Sequence, residues 1–306
     1  MKHTNPEHSS IDVSVIVPAY REAAGIESLV TRIRRTLDDT AYTYEVIVVD
    51  DGSDDETAAV AARGGARVVS HPYNVGNGAA VKTGIRAASG TMVVMLDGDG
   101  QHRPEDIPRL LEKLDTYDMA VGARTSDSHT SVPRSCANRF YNLFAGYICK
   151  RKIDDLTSGF RAMKRDIARS FIPLLPNTFS YPTTITMAVV RSGFSLVYVP
   201  VTGDRSTGKS KIRIFQDGSR FFLIIVKIAT LFSPMRIFLP VSAAMFLLGL
   251  GYGLFKIFFM GDRYGPTSAM LMTMAVVVFM VGLVSEQIAQ LRFEGSHNKT
   301  HDQTVP

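Results

Sequence analysis

Apolar positions along this chain follow two regimes. In the first two thirds they come as short runs between helical patterns. Val13 to Val17, Glu45 to Val49, Arg67 to Val69, Met92 to Leu96, Met119 to Val121 and Phe194 to Val201 are short and rich in β-branched or apolar residues, which predicts strands. Helical patterns predict helices at about Ala23 to Leu37, Glu56 to Ala62, from the Asn74 to Ala80 stretch on to about Ala88, Pro104 to Leu114 and Pro133 to Lys150. A proline in the first turn suits the fourth of these, because its missing N–H has no partner there anyway. Alternation of strand and helix predicts an α/β domain, placed at residues 1–211.

Beyond residue 211 the pattern changes. Ile212 to Phe232 contains the apolar stretch Phe221 to Val226, cut by Lys227, and reads as interfacial helices over 212–235. Two long apolar stretches follow, about Ile237 to Met260 and about Thr267 to Ile288. At ~1.5 Å per residue each can cross a hydrocarbon core of ~30 Å. Gly261 to Pro266 is a polar turn, so the two form a hairpin within 236–290, with 291–306 left as a tail. Lys256 can snorkel from one end, and Glu286 and Gln287 sit near the other. The basic flank before the first span places both termini in the cytoplasm, with the α/β domain and membrane lipids as neighbours.

Composition narrows the partners. The 306 residues carry a formal net charge of +5, which suits anionic lipid or anionic substrates. No basic run with interleaved aromatics appears, so nucleic acid is not an expected partner. The two cysteines, Cys136 and Cys149, have neither metal spacing nor the number for a disulfide framework. Met1 to Ser10 is polar and lacks the apolar core of a secretion signal.

Candidate chemistry sits at predicted strand ends, where open α/β sheets place ligands. Leu96-Asp97-Gly98-Asp99-Gly100-Gln101 puts two carboxylates one residue apart. Paired hard oxygens suit Mg²⁺ or Mn²⁺, which hold phosphates through one or two carboxylates; an acidic turn is the plainer alternative. After the first strand, Pro18-Ala19-Tyr20-Arg21-Glu22 offers Tyr20 to stack on a base and Glu22 to accept from a ribose or base. After the second, five of the six side chains in Asp50-Asp51-Gly52-Ser53-Asp54-Asp55 bear oxygen. Capping by Ser53 or Asp54 accounts for one or two of them, and the rest can read donor edges. Asn74 to Ala80 opens a small-residue helix whose first amides favour an anion, with Lys82 near a diphosphate; tight packing on the sheet accounts equally well for Gly84. Neither G-x-G-x-x-G nor G-x-x-x-x-G-K-[ST] is present, which removes the support for dinucleotide enzymes and P-loop kinases.

These four motifs, in this order, resemble family 2 glycosyltransferases with the GT-A fold. Asp155-Leu156-Thr157-Ser158-Gly159-Phe160-Arg161 resembles the D-x-x-S-G-F-R motif of polyprenyl-phosphate sugar transferases, a group that includes dolichyl-phosphate mannose synthase and bacterial undecaprenyl-phosphate enzymes. The resemblance implies a UDP- or GDP-linked sugar donor, a polyprenyl phosphate acceptor and inverting transfer of one hexosyl unit. It implies Mg²⁺ or Mn²⁺ at Asp97, Asp99 and Gln101, with Asp99 and Asp155 as catalytic residues. Donor binding falls to Pro18, Tyr20, Glu22, Asp51, Ser53, Asn77, Lys82 and Asp97. Arg124, on the predicted strand end Gly122-Ala123-Arg124, together with Arg134, Arg139, Arg205 and Lys211, is assigned to phosphate, which the arginine fork suits. Asp204 to Lys211 also reads as a basic juxtamembrane loop. A homo-oligomer fits as well. A polysaccharide synthase of the same superfamily is a second reading, but the Q-x-x-R-W motif is absent, since the chain has no tryptophan. A non-catalytic GT-A membrane scaffold is the third.

Overall fold

The computed structural model describes residues 11–124, 132–178, 180–202, 226–227, 229–230, 233–261 and 263–301, with backbone alone at 132–140 and 292–301. Arg205 and Lys211, most of the expected interfacial segment and the end of the tail lie outside the described residues, as do the side chains of Arg134 and Arg139. The chain divides into two compact units, Met1–Gly218 and Ser219–Pro306.

The first unit is a mixed sheet covered by helices. Its elements run β1 (Val13–Ala19), α1 (Ile26–Asp38), β2 (Tyr44–Asp50), α2 (Thr57–Arg63), β3 (Arg67–Ser70), α3 (Asn77–Ala87) and β4 (Met92–Met95). Then follow α4 (Ile107–Leu111), β5 (Met119–Arg124), α5 (Val132–Cys149), β6 (Arg161–Lys164), α6 (Arg165–Phe171), α7 (Tyr181–Arg191) and β7 (Leu196–Val201). The strand order is β3-β2-β1-β4-β6-β5-β7. β1 pairs in parallel with β2 and with β4, while β6 runs antiparallel between β4 and β5. All of β1 is buried, which is why its run is apolar rather than alternating. The core beneath it joins Val15, Val17, Val48 and Val94 to the buried stripe Ile26, Leu29, Val30, Ile33 and Leu37 of α1.

Four parts of the fold departed from the sequence pattern, the first being α6, a seven-residue helix that was not expected. β6 has four residues and begins on an arginine, so neither length nor alternation marks it. α7 carries Thr183, Thr184 and Thr186 among β-branched neighbours, a weak helix former that burial alone sustains. The stretch from Pro104 splits into a short 3₁₀ turn, α4 and a second 3₁₀ turn ending at Asp115.

The second unit holds α8 (Met235–Met260) and α9 (Pro266–His301). Met235–Met260 and Pro266–Leu291 are long and apolar enough to cross a membrane, and most of their surface lies open. Leu247, Phe258, Met270 and Leu291 are each more than 60% exposed, which a water-soluble bundle does not tolerate in such number. Small residues let the two helices approach. A Cβ at Gly253 would strike the Tyr264 ring, and one at Gly282 would lie 2.6 Å from Phe238. Glu286 accepts a 3.1 Å hydrogen bond from the Met235 amide and so caps the first turn of α8.

Candidate active site

The loops after β1 and β2 are stitched together. Arg21 sits in the left-handed region at φ 58°, unusual for a side chain of its size. Its amide donates to Ser53 Oγ at 2.9 Å, and its guanidinium grips Asp54 at 2.7 and 2.6 Å. The Glu22 amide donates to Thr57 Oγ1 at 2.9 Å, so Thr57 ties the start of α2 to the first loop. Tyr20 stands 40% exposed beside them, with the Arg21 guanidinium 5.2 Å from its ring centre. Pro18 is buried in β1, and its carbonyl would lie 2.7 Å from a Cβ at Gly98, so the two strand ends touch.

Asp51 is buried and works inward. Its Oδ1 accepts from His71 Nδ1 at 2.7 Å and from the Val75 amide at 3.0 Å; its Oδ2 accepts from the Gly76 amide at 2.8 Å. The start of α3 is closed rather than open. A Cβ at Gly76 or Gly78 would collide with the carbonyls of residues 176–178, and the Ala79 amide bonds Asn177 O at 3.3 Å. The expected anion cradle there is corrected: these glycines admit a neighbouring backbone. Lys82 is turned toward Leu175 O, at 3.1 Å, and the Asn177 side chain. Gly84 packs on Ile16 of β1, as its plainer reading had it.

The D-x-D stretch follows β4. Asp97 keeps 30% of its side chain accessible yet lies deep among protein atoms. Desolvation holds its carboxyl above the ordinary range, against a hydrogen bond from Asn77 and the charges of Arg161 and Arg124. Asp99 is raised as well, by desolvation first and by the Asp97 charge. Gln101 folds back on Asp99, its amide at 3.1 Å and its side chain at 2.6 Å. His102 is buried, its ring centre 5.4 Å from that of Phe160 and its Nε2 3.8 Å from Asp97. Burial pushes the imidazole down to about 4, and its Nδ1 has no hydrogen-bond partner among the described residues.

The third cluster comes from the D-x-x-S-G-F-R segment. Asp155 accepts from Arg124 at 2.9 and 3.2 Å and from the Thr157 and Ser158 amides at 3.0 and 3.1 Å. Arg124 also donates to Thr157 Oγ1 at 2.7 Å. The net effect is a carboxyl held below its ordinary range: burial opposes ionisation, and Arg124 and the amides overcome it. Asn142 of α5 donates to Asp154 O at 2.8 Å and accepts from the Leu156 amide at 3.2 Å, which docks the helix bearing Arg134 and Arg139 onto this loop. Arg161 is fully buried and bonds Pro182 O and Thr186 Oγ1, both at 3.1 Å, and Ser158 O.

Gly159 joins the second and third clusters. A Cβ there would overlap the Asp97 carboxylate, so the segment lies directly against the D-x-D stretch. The structure thus brings together Asp97, Asp99, Gln101, Asn77, Arg124 and Asp155, with His102 and Arg161 behind them. His71 and Thr83 were not singled out from sequence, and Gly159 only as a member of its motif, because only the folded chain shows which side chains they meet.

The sequence profile of Glycosyl transferase family 2 matches residues 14–171, just over half of the chain. The chain belongs to glycosyl transferase family 2. It is a glycosyltransferase, and the matched segment carries all three clusters. Residues 233–291 match a second profile, the GtrB C-terminal hairpin, over the two long apolar helices. An undecaprenyl-phosphate 4-deoxy-4-formamido-L-arabinose transferase of Sodalis glossinidius is 27% identical over 304 residues, spanning 91% of this chain and 89% of the relative. Its counterpart in Klebsiella pneumoniae strain 342 is 26% identical, over 88% of this chain and 84% of its own. Among solved structures, mannosyl-3-phosphoglycerate synthase of Rubrobacter xylanophilus superposes with a TM-score of 0.59 at 20% identity, covering 71% of this chain and 73% of that one. Glucosyl-3-phosphoglycerate synthase of Mycobacterium tuberculosis, in complex with Mn²⁺ and UDP-glucose, gives 0.53 at 25% identity, covering 71% and 77%. These likenesses give the GT-A fold of a family 2 transferase.

A divalent cation fits the D-x-D stretch by the chemistry of its donors. Two carboxylates are held above their ordinary range there, and neither has an ion-pair hydrogen bond to a cationic side chain among the described residues. No group of three His, Cys, Asp or Glu side chains gathers among the described residues, so any cation here rests on two carboxylates with the Gln101 amide beside them.

Proposed function

We propose that this glycosyltransferase moves one hexosyl unit from a nucleotide sugar to a polyprenyl phosphate at the cytoplasmic face of a membrane, inverting the anomeric centre. The observation that carries the reading is the contact at Gly159. It seats the uncompensated D-x-D carboxylates against the segment that aims Arg124. In this reading the site for a metal-bound diphosphate and the site for a second phosphate lie side by side. The apolar hairpin supports a lipid acceptor, and the relatives' undecaprenyl phosphate supports the polyprenol. The UDP complexes of the mycobacterial synthase favour a uridine donor over a guanosine one.

In this reading Asp97 and Asp99, with Gln101, hold Mg²⁺ or Mn²⁺, which when bound neutralises the departing diphosphate. Pro18, Tyr20, Glu22, Asp51 and Ser53 shape the nucleoside pocket, and Asn77 steadies Asp97. Lys82 supports the pocket through the 175–177 backbone. Arg124, Arg134, Arg139, Arg205 and Lys211 receive the acceptor phosphate. Asp155 holds the Arg124 fork in place. A phosphate oxygen attacks C1, the bond from C1 to the diphosphate oxygen breaks, and the nucleoside diphosphate leaves with the electron pair. The protein aims and charge-balances the two anions.

The test is direct. Membranes containing the protein are incubated with polyprenyl phosphate and radiolabelled UDP- and GDP-sugars, including the formamido-arabinose donor. Label in the organic phase, dependent on the polyprenyl phosphate and on Mg²⁺ or Mn²⁺, is the expected result. Label in a water-soluble or polymeric product instead would overturn the acceptor. For the topology, a reporter active only outside the cytoplasm, fused near Arg263, is expected to be active, and one after Pro306 silent.

A further inference from the structure

His71 takes no part in the chemistry above, and its surroundings are unusually complete. It follows β3, and its amide extends the sheet by donating to Asp50 O at 2.9 Å. Its side chain is 13% exposed and reaches two elements at once. Nδ1 lies 2.7 Å from Asp51 Oδ1, and Nε2 lies 2.9 Å from Thr83 Oγ1 on α3. An ionised carboxylate only accepts, so Nδ1 carries the proton, and in the neutral ring Nε2 accepts from the threonine hydroxyl. The result is a hydrogen-bonded chain, Thr83 to His71 to Asp51, running from α3 into the loop that opens the nucleoside pocket.

Asp51 does more than end that chain. The same carboxylate gathers the amides of Val75 and Gly76. Its own amide donates to Ala19 O, next to Tyr20. Gly52, at φ +70°, packs so closely on Tyr73 that a Cβ would collide with that backbone. Three segments therefore meet at one residue: the end of β1 through its amide, the β2 loop that carries it, and the approach to α3 through its carboxylate. Among the described residues the imidazole is the one side chain that donates to this carboxylate, and it fixes which way the carboxylate faces.

We propose that His71 is a positioning residue for the nucleotide donor. Seated on Thr83, it orients Asp51 so that the nucleoside loops stand ready before the donor arrives. This rests on reading the Asp51–Ser53 loop as the donor pocket. Preorganisation of this kind acts on donor binding, because the loop would otherwise be ordered at the moment of binding. Among the described residues, the cluster at Arg124 and Asp155 shares no hydrogen bond with Thr83, His71 or Asp51.

The experiment compares His71→Leu, His71→Asn, His71→Gln and Thr83→Val in full-length protein. Donor affinity is read by titration calorimetry with UDP, GDP and their sugars in the presence of Mn²⁺, alongside KM for donor and acceptor. Leucine removes a hydrogen bond to a charged group, worth about 10- to 100-fold in donor affinity and KM. Asparagine places an N–H where Nδ1 stood, and is expected to restore donor affinity to within about 5-fold of wild type. Glutamine reaches toward Thr83 instead and is expected to behave like leucine. Thr83→Val is expected to give a smaller rise of the same kind. Acceptor KM stays put throughout. Circular dichroism and melting establish that each variant is folded; if leucine prevents folding, the contrast of asparagine with glutamine decides. Equal donor affinity in asparagine and glutamine variants, or parallel rises in donor and acceptor KM, would overturn the positioning role. A wild-type chain that binds neither nucleotide would overturn the donor-pocket reading along with it, whereas wild-type binding unaltered by His71→Leu overturns this inference alone.

Discussion

Asp97 and Asp155 are the same residue type, both enclosed, and joined through Gly159, yet their electrostatics are opposite. Asp155 has its counter-ion built in. Arg124 grips both of its oxygens and two amides join, so it stays ionised below the ordinary range. Asp97 and Asp99 have no such partner among the described residues, and desolvation lifts both. In the proposed reading one site is satisfied by the protein, and the other is left for a cation. A carboxylate that stabilises a fold and one that serves a ligand are told apart by what surrounds them, not by the motif that names them.

The sharpest way to break this comparison is to remove the incomplete half. Asp99→Ala deletes an oxygen from the cation site, and a metal that stabilises transition-state charge is worth several kcal/mol. Transfer is expected to fall by more than about 100-fold, and metal-dependent donor binding, read by calorimetry, to weaken with it. Full activity in excess chelator would end the metal reading.

Stability sharpens the contrast, because the two halves move in opposite directions. Asp155 has a depressed pKa in the fold. Its contribution is fully present above the unfolded value of 3.8 and is lost as pH falls through the folded value. Asp97 has a raised pKa, so its ionisation costs the fold stability as pH rises through the carboxylate range. At neutral pH Asp155→Asn is expected to melt lower than wild type. Breaking a buried pair costs ~3–5 kcal/mol, and the 36% exposure of Arg124 keeps the loss at or below the low end. Asp97→Asn is expected to melt higher than wild type without metal and to lose that advantage when Mn²⁺ is added, since only the wild type gains from it. Scanning calorimetry with and without Mn²⁺ checks both. Two shifts of the same sign would erase the distinction.

A smaller effect separates acceptor from donor. Arg134 lies on α5, which Asn142 docks onto the Asp155 loop. Arg134→Ala is expected to raise the polyprenyl phosphate KM about 10- to 100-fold, the worth of a charge-assisted hydrogen bond, with donor KM little changed. Equal effects on both would move Arg134 off the acceptor.

The two halves also differ in how far the sequence revealed them. β2 and β4 are largely buried strands whose apolar runs lead into carboxylates, so strand and motif announce each other. The hairpin was equally plain, because two runs of such length with so few charges are long and apolar enough to cross a membrane. The acceptor half was harder. β6 is too short for a period and α7 is stabilised by burial, which a local pattern does not carry. In the site, the D-x-D and D-x-x-S-G-F-R residues were legible as motifs. Their partners were not: that Arg124 meets Asp155, that Gly159 lies against Asp97, and that the glycines of α3 admit residues 176–178 are all contacts between distant segments.

The smallest expected effect concerns His102, and it decides whether the reaction uses a general base. A sugar hydroxyl needs one, because it is a weak nucleophile, and such a base is worth about 10²–10⁴-fold. A phosphate monoester does not. Its second pKa is about 6, so near neutrality it is already largely a dianion that needs only to be desolvated and aimed. His102 is the one histidine beside the D-x-D stretch, but it is buried, packs on Phe160, and lies 3.8 Å from Asp97, beyond a hydrogen bond. That is the placement of a packing residue. His102→Ala is therefore expected to lower kcat by well under about 100-fold in folded protein, the least a general base supplies. Since the cavity can lower stability, the comparison is made below the melting transition, with His102→Gln as the less disruptive partner. The wild-type rate is expected to rise with acceptor ionisation near about pH 6 and then flatten. In-line attack on an α-linked donor gives a β-linked product, read by NMR. An α-linked product would refute inversion, and complete loss in both His102 variants with donor binding intact would restore the base.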